Sequence, residues 1–254
     1  MRGFGAFFAK ELRETVHTWR IWVLPAFLLF SGLSSPVVTY LMPMMVDRLG
    51  GAGAGFTIQV ADPTAIAAYV EYLGNLGELV MFALVIAYGG IVNSELRSGT
   101  AVLALSKPLS RGAFVIAKWL SQLLVIVCSA SVATGLCVAL TAVLLGAGPA
   151  TALVAATALW IVYAALLLSA MVLMSVIFSA PAAAAGAGIG VYAALAVLAQ
   201  FEITSRSTPA GLMAAALALV NGEPSHWLLP LLTGLGLSAA CLAAAVWWFS
   251  RREI

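Results

Sequence analysis

Residues 119–201 contain no Asp, Glu, Lys, Arg or His, an apolar stretch of 83 residues. A bilayer core of about 30 Å is crossed by about 20 helical residues, so this stretch holds three crossings and two short turns. The flanking apolar runs extend the pattern to six predicted spans, over residues 21–46, 73–93, 114–145, 150–178, 182–201 and 227–249. Backbone groups in lipid must be paired within the protein, which restricts the spanning structure to helices or closed barrels. Ala, Leu and Gly runs without period-two alternation exclude the barrel. The pattern predicts an all-α membrane protein with six transmembrane helices and one domain over 1–254.

Three shorter segments depart from the spanning pattern. Within residues 1–20, Phe4, Phe8, Leu12, Val16 and Trp19 recur at helical spacing, while Lys10, Arg13, Glu14 and His17 gather on the other face. This is an N-terminal amphipathic interfacial helix or a plain extension of the first span. Pro25, Pro36 and Pro43 predict kinks in that span, and residues 47–72 form its outer connection, starting with a Gly-rich run. Within 202–226, residues 208–220 are apolar but too few to cross, and Glu202, Arg206, Glu223 and His226 bracket them. An outer re-entrant hairpin before the last helix fits that length, as does a loosely packed loop.

Charge adds orientation. The chain is 63% hydrophobic and 9% charged, with a mean hydropathy of +1.08, far from the roughly 25% charged residues of soluble domains. On the six-span plan, Arg2, Lys10, Arg13, Arg20, Arg97, Lys107, Arg111, Lys118, Arg251 and Arg252 share one side, with Arg48 and Arg206 on the other. That asymmetry predicts a multi-pass protein with both termini cytoplasmic. The first apolar run exceeds the 7–15 residues of a signal peptide and is expected to stay as span one. A net charge of +2 suggests no nucleic-acid partner. Cys128, Cys137 and Cys241 all fall inside spans, so disulfide, zinc and thiol chemistry is not expected. Met42, Met44 and Met45 are soft sulfur donors, but flexible packing is the commoner use, and no metal site is expected.

The connection between spans two and three reads ELRSGTAVLALSKPLSRGAFVIAK over residues 95–118. Gly99 is placed to end the second helix, Thr100 to cap a short apolar turn through residue 105, Pro108 to break it, and Ser110 to cap the third helix. An apolar turn ringed by Glu95, Arg97, Lys107 and Arg111 is suited to seat in a groove of another protein. A basic loop that merely sets topology has the same composition.

The sequence of an acidic residue, Gly-Thr, an apolar run, Pro and Ser-Arg, carried by Glu95, Gly99, Thr100, Pro108, Ser110 and Arg111 and followed by Lys118, resembles permease subunits of the type-two ABC exporter family. The helix plan, essentially the whole chain, resembles it too. The resemblance implies a dimer of this chain with a second copy or homologue, embedded in lipid in a prokaryotic cytoplasmic membrane and powered by two separate ABC-type ATPase subunits. It also implies that residues 94–113 form a cytoplasmic coupling loop whose helix, around residues 100–105, rests on the ATPase, with Glu95, Arg97, Gly99, Thr100, Leu103, Pro108, Ser110 and Arg111 involved in the coupling. The sequence has no G-x-x-x-x-G-K-[ST] loop. ATP and Mg are therefore expected in the partner, and no cofactor or catalytic residue in this chain.

Substrate contacts are less legible. Glu78 lies seven residues from Glu71 near the outer end of span two as drawn, where a carboxylate is either functional or simply hydrated. Tyr88, Asn93, Gln122, Tyr163, Tyr192 and Gln200 line the pathway or hydrogen-bond between helices. Gly186 and Gly190, a G-x-x-x-G spacing, allow close packing of a second copy or packing within the chain. A secondary transporter would need midplane ionisable groups and repeated halves, and the middle three spans lack such groups. An intramembrane enzyme would need catalytic groups in the spans, yet His17 and His226 fall on opposite sides and no hydrolase motif occurs.

Overall fold

The computed structural model describes residues 4–17, 19–50, 62–99 and 110–251. Among them, six helices are long and apolar enough to cross a bilayer: Trp22–Val46, Ala65–Arg97, Arg111–Leu144, Ala150–Ile177, Pro181–Leu198 and Leu228–Arg251. No strand occurs among the described residues. Numbered along the chain, α1 (Phe4–His17) is the amphipathic helix and α2 (Trp19–Gly50) is span one, continuous through Pro25, Pro36 and Pro43.

Span two is segmented. It comprises α3 (Ala65–Asn75), a wide π turn (Leu76–Val80) and α4 (Met81–Tyr88), followed after a turn by the short α5 (Asn93–Ser98). It starts eight residues before the start predicted from hydropathy, because the Thr64 hydroxyl caps it by accepting from the Ala67 amide at 3.1 Å. Tyr69 and Tyr72 dilute the hydropathy of this first part, yet both are fully buried. The π turn leaves main-chain carbonyls without helical donors. Two side chains supply donors: Trp160 Nε1 to Leu76 O at 2.9 Å and the Tyr192 hydroxyl to Gly77 O at 2.7 Å.

The remaining spans are α6 (Arg111–Leu144), α7 (Ala150–Ile177), α8 (Pro181–Leu198) and α11 (Leu228–Arg251). Between the last two lie α9 (Glu202–Ser207), a 3₁₀ turn at Pro209–Gly211 and α10 (Leu212–Asn221). α7 is the hub: it packs against α3, α4, α6, α8, α10 and α11, and most of its residues are buried. A buried hydroxyl chain pins the hub to two neighbours, from Tyr72 to Thr134 at 3.1 Å and from Thr134 to Thr157 at 3.1 Å. α2 and α6 approach so closely that a Cβ on Gly32 would stand 2.5 Å from the Ala133 carbonyl oxygen. α8 and α11 are mostly exposed.

Candidate functional site

The predicted coupling segment leaves the membrane bundle at α5 and returns at α6, and the structure fastens both ends. At the first, the Ser175 hydroxyl on α7 accepts hydrogen bonds from the backbone N–H of Val92 (2.9 Å) and Asn93 (3.0 Å), two donors that begin α5. The Asn93 side chain donates to the Phe178 carbonyl at 3.2 Å. Gly99 ends α5 at φ +73°, the left-handed conformation that glycine adopts without Cβ strain. At the second, Ser110 caps α6 by accepting from the Ala113 amide at 3.2 Å. Arg111 donates to the last carbonyls of α11, at 3.0 Å to Ser250 and 3.4 Å to Phe249. The stop at Gly99 and the cap at Ser110 match their sequence-derived roles. Arg97 is exposed. Thr100, Leu103 and Pro108 lie outside the described residues.

Behind this junction sits a buried ionic centre. The Lys118 ammonium, on α6, donates to Glu11 Oε2 of α1 at 2.8 Å and also pairs with Glu95 of α5. The Lys118 and Glu11 side chains are each only 5% exposed, whereas that of Glu95 is 24% exposed. Two carboxylates thus share one ammonium, with Lys118 and Glu11 buried and Glu95 partly open to solvent. Burial pushes the Glu11 carboxyl above its ordinary range, against the pull of the Lys118 charge and hydrogen bond.

Phe114, one turn from Lys118, places its ring 5.2 Å from the ammonium. It stacks on Phe249 of α11 and tilts against Phe7 of α1, both with centroids at 5.5 Å. Val92, Val115, Val172, Val176 and Ala245 complete this small apolar core. α1, α5, α6, α7 and α11 therefore meet in one block at the exit and return of the predicted coupling segment. Glu11 and Ser175 were missed from the sequence, although Glu11 interrupts the apolar face of α1, spaced three and four residues from Phe8 and Phe7.

The proposed pathway residues divide by location. Tyr88, Asn93, Gln122 and Tyr163 are buried within the chain's own helix packing, whereas Glu78 and Gln200 are exposed. Glu78 lies in the π turn, midway along α3–α4 rather than near its outer end, because the helix starts earlier than expected. Gly186 and Gly190 are exposed with nothing within 4 Å of a would-be Cβ, so neither packs inside the chain. The helix contact within the chain is made instead by Gly188, against Met171 and Val85. Met42, Met44 and Met45 are exposed at the end of α2.

No group of three or more His, Cys, Asp or Glu residues arranged to hold a metal ion occurs among the described residues. Among the described residues, α5 and the start of α6 are tied to α7, α11 and α1. Over 256 residues the chain is 26% identical to an uncharacterized transmembrane protein, YxlG, of Bacillus subtilis (strain 168), covering 100% of this chain and 99% of that protein. The sequence profile described as ABC-2 family transporter protein matches residues 6–202. Most of the sequence and five of the six spans lie within that match, and the chain belongs to the ABC-2 family of transporter membrane proteins.

Proposed function

We propose that this chain is the membrane-spanning subunit of an ATP-driven exporter, that two copies form the translocation path, and that a separate ABC-type ATPase docks on each through residues 94–113. The observation that carries this reading is the bracing of the segment at both ends, with Glu95 held by Lys118 and Arg111 bonded to the end of α11. A loop that served only to set topology would need no such anchorage. Force applied at the segment reaches α6 and α7 directly, and α1 and α11 through the shared aromatic core.

In this arrangement the Lys118 end faces the cytoplasm, consistent with its basic residues, and both termini are cytoplasmic in a prokaryotic inner membrane. Pro209–Asn221, about 20 Å long as a helix and too short to cross, forms a re-entrant element on the outer side. α8 offers Gly186 and Gly190 to the second copy. ATP and Mg belong to the partner chain.

Coexpression with a cognate ABC-type ATPase tests the reading. The expected product is a stable complex of two copies of each chain, with no ATP hydrolysis by the purified permease alone. Leu103→Asp should weaken docking by about 1 to 4 kcal/mol, since a charge would enter an apolar contact. Hydrolysis intrinsic to this chain, or full ATPase docking to Leu103→Asp, would overturn the assignment.

A further inference from the structure

The middle of span two carries a carboxylate that lipid would not accommodate. Between the first residue of α3, Ala65, and the last of α4, Tyr88, Glu78 stands about 20 Å from one end and about 15 Å from the other. That is near the centre of a hydrocarbon layer of about 30 Å. Its side chain is exposed on the surface of the chain, and among the described residues no basic group pairs with it. Ionisable groups at this depth face a bundle interior or a water-filled cavity, since hydrocarbon cannot solvate them.

The surroundings fit an aqueous path better than a lipid face. At the same level the Tyr192 hydroxyl bonds to the carbonyl of Gly77, the residue before Glu78. One turn toward the start of α3, Asn75 donates to Ser35 at 3.1 Å and to Glu71 at 3.4 Å. Polar groups therefore continue from Glu78 through Asn75 to Glu71, toward the start of α3. Gly74, on the same side, is exposed with open space beyond it. The neighbours Leu79 and Phe82 are exposed and apolar. A lone carboxylate beside an accessible aromatic ring and an aliphatic side chain suits a ligand with a positive charge on an apolar body, with the ring adding a cation–π contact.

We propose that Glu78 faces the water-filled translocation path at mid-membrane and selects lipophilic cations there. This rests on the transport reading but not on ATPase docking, so the two fail separately. The test uses the purified full chain in lipid nanodiscs, with Cys128, Cys137 and Cys241 replaced and Gly74→Cys introduced as the reporter. Two water-soluble methanethiosulfonates of equal size, one a trimethylammonium and one a sulfonate, are reacted with it.

The expected result is reaction with both, the cation roughly tenfold faster as a nearby negative charge dictates. The preference should vanish in Glu78→Gln and persist in Glu78→Asp. Ethidium, the probe cation, should bind the Cys-replaced chain and bind at least tenfold more weakly to Glu78→Gln. No reaction at position 74, a rate ratio indifferent to Glu78→Gln, loss of the ratio in Glu78→Asp, or unchanged ethidium binding would each overturn the proposal. Failure to capture an ATPase would leave it standing.

Discussion

Replacing Lys118 by Met removes the ammonium that Glu11 and Glu95 share among the described residues while keeping an unbranched side chain of similar length. Breaking a buried ion pair from one side commonly costs about 3 to 5 kcal/mol, because the remaining charge is left without compensation. Here the structure bounds the loss. Glu95 is 24% exposed and recovers part of its hydration, whereas Glu11, at 5%, cannot. A carboxyl that cannot be solvated takes up a proton instead. From an ordinary value of 4.5, that costs about 3.4 kcal/mol at pH 7 and about 0.7 kcal/mol at pH 5. Lys118→Met is therefore expected to lose about 3 kcal/mol at pH 7 and much less at pH 5.

Glu11→Gln alone should change stability by no more than about 1 kcal/mol, since it removes a desolvated charge that already competes for the ammonium. Added to Lys118→Met, it should restore about 2 kcal/mol at pH 7. Thermal unfolding of the purified chain in detergent, followed by tryptophan fluorescence at both pH values, measures all four proteins. Wild type should show the same sign more weakly. The fold raises the Glu11 carboxyl, so the native state holds its proton more readily and stability declines as pH rises through that raised value. The reasoning fails if Lys118→Met matches wild type at pH 7, or if its deficit is the same at pH 5.

Four further substitutions probe the bracing and the packing. Ser175→Ala leaves the Val92 and Asn93 amides without their acceptor, at a cost of about 1 to 3 kcal/mol; amide exchange across α5 should quicken at least tenfold, and unchanged protection would refute the clip. Gly32→Ala sets a Cβ 2.5 Å from the Ala133 carbonyl and should destabilise by about 1 to 3 kcal/mol despite alanine's better helix propensity. Gly135→Ala, with nothing within 4 Å, should be neutral or slightly stabilising, and equal melting shifts for the two would refute the close approach of α2 and α6. Arg111→Met removes the donor to the Phe249 and Ser250 carbonyls and should fray the end of α11, seen as faster exchange there than in α7.

The six spans were legible because lipid imposes a length and a polarity that no tertiary contact overrides, and the 119–201 stretch leaves no other reading. The caps at Ser110 and Gly99 were legible for a similar reason: a hydroxyl or a glycine at a helix end acts locally. The start of span two was misjudged because hydropathy averages over Tyr69, Glu71 and Tyr72, although the Thr64 cap was there to be read. That error placed Glu78 near the end of the helix rather than midway along α3–α4. The π turn has no local signature, since it depends on Trp160 and Tyr192, which lie about 80 and 115 positions away. Glu11 and Ser175 were invisible for the same reason: their partners are distant in the chain. An acidic residue on the apolar face of α1 was nonetheless a visible inconsistency.

The order in which the chain leaves the ribosome bears on the block around Phe114. Glu11 and Glu95 are synthesised before Lys118, so both acids emerge before their counter-ion exists. Phe249 and Ser250, which supply the stacked ring and the carbonyls for Arg111, come 135 or more residues after that segment and within the last turn of the final span. The ionic centre can close once span three is inserted, but the aromatic core and the Arg111 cap wait until span six has been made. A nascent or truncated chain lacking span six thus uncovers the face of Phe114 that Phe249 stacks on and leaves the Arg111 bonds to α11 unmade. A chain that lacks span six cannot brace the start of α6 in the same way.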